Sequence, residues 1–162
     1  MQNNTLQIEY ISFKDLSELS SEYQNLVSKA NEALLRAYSP YSGFNVGSAI
    51  LLDNGTIVEG SNQENAAYPS GLCAERVALF YAGSQYPNNK IKAIAIVGKN
   101  TKKPKNNDII SPCGACRQVM IETEYRQKEP VSVILTSQNG CGLIFKSIEQ
   151  LMPFSFELLK NH

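Results

Sequence analysis

Histidine is all but missing from this chain. Its one copy, His162, is the last of 162 residues, so a mechanism needing a histidine base or metal ligand is nearly excluded. Net charge is missing as well. Lys plus Arg number 15 and Asp plus Glu number 15, which argues against a nucleic-acid partner held by phosphate neutralisation. No apolar run is long enough to span a membrane. The opening Met1-Gln2-Asn3-Asn4 has neither a basic n-region nor an apolar h-region, so the sequence predicts no secretory signal and a cytoplasmic protein. With no export signal, four cysteines read as reduced thiols or metal ligands rather than disulfides. Repeats and linkers are absent too. The chain reads as a single domain spanning 1–162, able to bury roughly two-thirds of its unfolded surface without staples.

What is present alternates between strand and helix signals. Leu6, Ile8 and Tyr10 alternate with Gln7 and Glu9, predicting a short N-terminal strand at a sheet edge. Tyr23, Leu26, Val27, Ala30, Leu34 and Ala37 keep helical spacing and predict a helix from about Ser20 to Ala37, ended by Pro40. Val46 to Leu52 and Thr56 to Ser61 read as a hairpin turned by Asn54-Gly55. A second helix is expected from near Cys73 to Ala82, with Gly83 as its stop. Ile91 to Val97 is a near-continuous apolar run typical of a strand covered on both faces. Pro112 suits the first turn of a third helix, from about Cys113 to Thr123. Val131 to Thr136 and Leu143 to Lys146 read as further strands. Ser147 and Gln150 have capping-box spacing for a short last helix. The order predicts an α/β fold, a three-layer α/β/α sandwich with a mixed, mostly five-stranded sheet.

Three of the four cysteines sit in two stretches, Cys73-Ala74-Glu75 and Pro112-Cys113-Gly114-Ala115-Cys116. Three thiolates fill three corners of a tetrahedral zinc and leave the fourth open for water, whose protons a neighbouring carboxylate, Glu75, can handle. The pattern C-x-E … P-C-x-x-C is similar to that of the zinc deaminases, including their all-cysteine form. Cys73 and Cys113 fall at expected helix N-termini, where exposed amides favour a thiolate. Cys116 lies one turn on, on the same face as Cys113, so the two helices must meet end to end. Three thiolates leave zinc with a net charge of minus one, and Arg76 is placed to draw that charge off. A bare C-x-x-C is as often structural or redox-active. A structural site, however, closes with a fourth ligand, and Cys141 has no partner motif and reads as a free thiol. Glu75 alone would be an ordinary first-turn helix carboxylate. Beside a metal ligand it reads as the proton shuttle.

Longer segments then make a family resemblance specific. Ser111 to Val119 and Cys73 to Arg76 resemble the two signatures of the small cytidine deaminases. Tyr41-Ser42-Gly43-Phe44-Asn45-Val46-Gly47, Asn62-Gln63-Glu64-Asn65-Ala66-Ala67-Tyr68 and Leu151-Met152-Pro153-Phe154-Ser155-Phe156 resemble three more segments of that family. The resemblance covers about Ala30 to Phe156. It implies one zinc per chain on Cys73, Cys113 and Cys116, with Glu75 as general acid and base. It further implies ribose contacts from Asn62 and Glu64, base-edge contacts from the backbone around Ala74 and Ser111-Pro112-Cys113, and nucleoside packing by Phe44. Phe156 would reach the base in a neighbouring subunit of a homotetramer. The implied reaction is hydrolytic deamination of cytidine or deoxycytidine at C4, giving the uridine nucleoside and ammonia, in pyrimidine salvage. The chain departs from the pattern in its N-terminal extension, in Gln63 where the family often has an apolar residue, and in a lysine-rich loop.

Read without the family, Asn62 and Glu64 are turn residues after a strand, and Phe44 and Phe156 are core aromatics. Lys99, Lys102, Lys103 and Lys105 read as a solvated loop, since no aromatic interleaves them. Other functions remain open. Deamination of a cytosine-containing antibiotic such as blasticidin uses the same zinc motifs, but Asn62 and Glu64 suit a ribose. A zinc-stabilised interaction module would not need Glu75 beside an open coordination position. Editing of cytosine within nucleic acid fits poorly with zero net charge.

Overall fold

The computed structural model describes residues 1–103 and 108–158, so Lys105 and His162 lie outside the described residues. The elements follow the expected order: β1 (Ile11–Phe13), α1 (Ser21–Leu34), β2 (Phe44–Leu52), β3 (Ile57–Ser61), α2 (Ala74–Gln85), β4 (Ile91–Asn100), α3 (Gly114–Gln127), β5 (Ser132–Thr136) and β6 (Gly142–Phe145). Short 3-10 turns occupy Leu16–Glu18, Tyr68–Ser70 and Ile148–Gln150, the last with the capping box formed by Ser147 and Gln150. The strands form one mixed sheet in the order β1-β6-β5-β4-β2-β3. Among the described strands, only β4 and β5 pair in parallel. Because β3 and β4 each run antiparallel to β2, they share one direction although β2 separates them.

Strand alternation sorts the core into two layers. Ile50 and Leu52 of β2, Ile94 and Ile96 of β4, and Val133 and Leu135 of β5 face α2 and α3. The alternate residues Ala49, Leu51, Ala93, Ala95, Val97 and Ile134 face α1, through Leu26, Val27, Ala30 and Leu34. The sheet is thus covered on both sides, giving the expected α/β/α sandwich. No described helix is long and apolar enough to cross a membrane.

The structure corrects four details. The sheet has six strands rather than five, because β1 joins its edge. That strand lies at Ile11–Phe13, not at Leu6 to Tyr10. β6 offers partners only to Ile11, Ser12 and Phe13, and Phe13 is the residue that enters the core. Leu6, Ile8 and Tyr10 stay exposed, although the Tyr10 ring meets Phe145 at 5.8 Å. Helix α2 passes through Gly83 and ends at Tyr86. Pro87 accounts for the stop, since the residue before a proline is driven out of the helical region. Pro112 precedes the Cys113 N-cap rather than entering the first turn, and α3 continues to Gln127, where Lys128 turns left-handed (φ 58°). The hairpin turn is as expected, with Gly55 at φ 84°.

Candidate active site

Both helices that carry the cysteines start at the carboxyl ends of parallel strands, α2 after β3 and α3 after β4, where open α/β sheets place their sites. Cys73 is the N-cap of α2 and Cys113 the N-cap of α3, and neither thiol is spent on capping. Gly60 lets α2 come this close. A Cβ there would lie 2.5 Å from the Ala74 carbonyl oxygen and 2.7 Å from the Ala78 nitrogen. Ala74, the first helical residue, is completely buried.

The Sγ atoms of Cys73, Cys113 and Cys116 all lie within 4.8 Å of one another, and those of Cys113 and Cys116 are 3.5 Å apart. A tetrahedral zinc with Zn–S bonds of about 2.3 Å requires S···S separations near ~3.8 Å, so the donor set fits the ion. Cys141 stands outside the cluster, its Sγ 3.1 Å from the Ser137 hydroxyl.

Electrostatics give the same answer. A hydrogen bond from Cys116, with a smaller contribution from Arg76, outweighs burial and brings the Cys73 thiol down to about 5. Cys116 is pushed far up, first because its proton serves Cys73 and then because it is buried beside Glu75. Cys73 and Cys116 thus share a proton that a cation among the sulfurs would displace, since a coordinating metal deprotonates thiols outright.

Glu75 is only 4 % exposed. Burial is the main force raising its pKa, and the charge on Cys73 adds to it. The Arg76 guanidinium reaches Cys73 Sγ at 3.8 Å, while its Nε is buried without a hydrogen-bond partner.

A cleft of about 470 Å³ opens beside this cluster, lined among others by Tyr41, Asn62, Glu64, Tyr68, Cys73 and Arg76. Its size suits a small-molecule ligand. Asn62 accepts the Val46 N–H at 2.8 Å and donates to the Phe44 carbonyl at 2.9 Å. One amide hydrogen and one lone pair remain for a ligand. Glu64 accepts the Tyr41 N–H at 2.9 Å, the Ser42 N–H at 3.3 Å and the Ser42 hydroxyl. These bonds, the hydroxyl first, hold its pKa below the usual value. Phe44 is half-buried where β2 begins, tied to the cleft through Asn62. Lys102 donates to the Tyr41 carbonyl at 2.9 Å.

The structure thus gathers Cys73, Ala74, Glu75, Arg76, Cys113 and Cys116 at the two helix starts, with Asn62 and Glu64 along the adjoining cleft. Phe156 is not among the residues lining that cleft, and its ring is 70 % exposed. Arg117 had no assigned role in the sequence. Its guanidinium donates to the Pro112 carbonyl, the Ser111 hydroxyl and the Leu151 carbonyl, each at 2.8 Å. It braces the loop before α3, and its place directly after the C-x-x-C pair was the available signal.

Residues 20–131 match the family model described as the cytidine and deoxycytidylate deaminase zinc-binding region. A cytidine deaminase of Halalkalibacterium halodurans is 48 % identical over 99 residues, covering 61 % of this chain and 70 % of that one. A cytidine deaminase of Sporosarcina psychrophila is 45 % identical over 135 residues, covering 83 % of this chain and 91 % of that one. The crystal structure of cytidine deaminase from Burkholderia pseudomallei superposes with a TM-score of 0.72 at 40 % identity, covering 83 % of this chain and 98 % of that one. The zinc-binding description agrees with the donor chemistry of the three sulfurs. On these grounds the chain belongs to the cytidine and deoxycytidylate deaminase zinc-binding family.

Proposed function

We propose that this protein is a zinc-dependent cytidine deaminase, converting cytidine or deoxycytidine and water to uridine or deoxyuridine and ammonia. The observation that carries the reading is a buried carboxyl, Glu75, beside a three-sulfur zinc site whose Cys73 lines a small-molecule-sized cleft. Cys73, Cys113 and Cys116 hold the ion. When bound, zinc acts as a Lewis acid that makes water a nucleophile near neutral pH. Glu75 takes one proton from water as its oxygen bonds to C4 and passes it to N3, then takes the second from the new C4 hydroxyl and passes it to the amino group, which leaves as ammonia as the C4–N bond breaks and the C4 carbonyl forms. Burial raises its pKa from the ordinary carboxylate value, the direction that favours a carboxyl giving a proton back as well as taking one. Arg76 donates toward Cys73 and draws charge from the sulfurs.

At the other end of the cleft, the free valences of Asn62 and the ionised Glu64 bind the ribose hydroxyls. Phe44 packs on the nucleoside, and the backbone around Ala74 and Ser111-Pro112-Cys113 fixes the base edge. Phe156 completes the site of a neighbouring chain in a homotetramer. The substrate is the free nucleoside, because Glu64 places a carboxylate where a 5′-phosphate would be repelled. Such a substrate places the enzyme in pyrimidine salvage. Incubation of zinc-loaded protein with cytidine, followed by ultraviolet absorbance as uridine forms, tests the reading. Loss of absorbance with cytidine but not with cytidine monophosphate or single-stranded DNA is expected. Turnover of blasticidin without turnover of cytidine would overturn it.

A further inference from the structure

Beyond the 3-10 turn at Ile148–Gln150, the chain has neither helix nor strand up to Leu158. The Leu151 and Met152 N–H groups close the turn onto the Ile148 and Glu149 carbonyls, and past them the backbone has no ladder to join, which leaves side chains and water as partners. Helix α3 supplies several. Glu124 accepts the Ile148 N–H at 2.9 Å. Arg117 donates to the Leu151 carbonyl at 2.8 Å. The Tyr125 and Ser155 hydroxyls share a hydrogen bond at 2.9 Å. Gln118 makes two bonds to a single residue: its Nε2 donates to the Phe156 carbonyl at 2.8 Å, and its Oε1 accepts the Phe156 N–H at 3.3 Å.

A side-chain amide that both donates to and accepts from one residue's backbone reproduces the hydrogen-bonded pair of an antiparallel ladder. It restricts φ and ψ at that residue and hence the direction of its side chain. This matters at Phe156 because the ring is 70 % exposed and the core does little to orient it.

We infer that Gln118 is a positioning residue: it fixes the backbone of Phe156 and so sets how that ring is presented to the base, without touching substrate itself. The inference rests on the reading of Phe156 as a base-contacting residue. It is tested on the full, zinc-loaded chain with cytidine as substrate. Gln118→Ala, Phe156→Ala and the double variant are compared for kcat, KM and zinc content. Hydrogen exchange is followed in the peptide spanning 151–158. Gln118→Ala should raise KM several-fold, leave kcat within about twofold, keep one zinc per chain and speed exchange at Phe156. In the Phe156→Ala background it should add nothing further to KM, since both changes act through one group. Gln118→Glu keeps the acceptor but loses the donor, so its KM should fall between those of wild type and Gln118→Ala.

Multiplying KM effects in the double variant would overturn the inference. So would a fall in kcat or zinc content in place of a KM change, or unaltered exchange at 151–158. If Phe156→Ala leaves KM unchanged, the reading of Phe156 itself fails. A KM increase confined to Gln118→Ala would then show that Gln118 acts by another route.

Discussion

In the proposed mechanism one side chain, Glu75, decides the chemistry. Its carboxyl is buried beside the sulfur cluster, and both burial and the charge on Cys73 favour its protonated form. Glu75→Gln keeps the size and polarity of the group but removes the exchangeable proton. The variant should keep one zinc per chain and the native thermal transition, while kcat falls by about 10²–10⁴-fold, the usual contribution of a positioned acid or base. Metal analysis, calorimetry and steady-state rates on the same preparation check this. A variant within about tenfold of wild type, about 1.4 kcal/mol of barrier, would show that another group carries the proton. Glu75 was legible in the sequence because its meaning is local: a fixed offset from Cys73 on one helical turn. Glu64, which lines the cleft, was pointed to only by the family resemblance. The groups that hold it, Tyr41 and Ser42, lie 23 and 22 positions earlier, and no local pattern announces a contact made across two strands. The two bonds that hold Asn62 to Phe44 and Val46 were hidden for the same reason.

Element boundaries were readable where a strong local signal acts alone and misread where two compete. Gly83 is a reasonable helix stop, but a glycine costs only about 1 kcal/mol inside a helix. Packing of Leu79 and Ala82 in the core keeps α2 going until Pro87 forbids it. The N-terminal strand was misplaced because alternation marks a face, whereas pairing is settled by the length of β6. What the sequence pattern could not show is how closely α2 approaches the sheet. Gly60 sets that distance, and with it the position of Cys73. Gly60→Val would drive methyl groups against the Ala74 carbonyl and the Ala78 nitrogen, both backbone atoms that cannot rotate aside. The expected cost is about 1–3 kcal/mol of stability, together with weakened zinc retention, because the first turn of α2 has to move away from β3 and takes Cys73 with it. Competition with a colorimetric chelator, compared with thermal melting, checks both effects. Full zinc retention in a destabilised variant would show that the sulfur cluster does not depend on this contact.

Zinc joins the starts of two helices that otherwise share few contacts. Its removal should therefore be felt through the molecule rather than at the site alone. With free zinc at about 1,000 times its dissociation constant, binding contributes about 4 kcal/mol. Chelation should then lower Tm by roughly 8–16 °C for a chain of this size. An unchanged Tm in metal-free protein would mean that the cluster lends the fold nothing.

The surface of the single chain carries an unusual load of aromatic rings. Tyr68 is 77 % exposed, Phe154 87 % and Phe156 70 %, with Phe80 and Tyr81 more than half exposed on α2. Rings on this scale suit a surface that meets other copies, and closed symmetry lets each copy complete its neighbour. The proposed homotetramer makes a prediction that no isolated chain can satisfy. Stacking of an aromatic on a base is worth about 1–3 kcal/mol, so Phe156→Ala should raise KM roughly 5- to 150-fold while zinc content stays intact. Glu75→Gln alone should turn over about 10²–10⁴-fold more slowly, as above. When the two variants are mixed and their subunits exchange, a site on a Phe156→Ala chain still has its own Glu75 and can receive Phe156 from a Glu75→Gln neighbour. Such hybrids should regain wild-type KM at a fraction of their sites, so activity at low cytidine should exceed the sum of the two parents. If Phe156 serves its own chain, no hybrid site ever holds both residues, and freely exchanging mixtures will show only the parental sum. An active monomer in sedimentation would end the proposal at once, because the exposed ring of Phe156 would then have no second chain to serve.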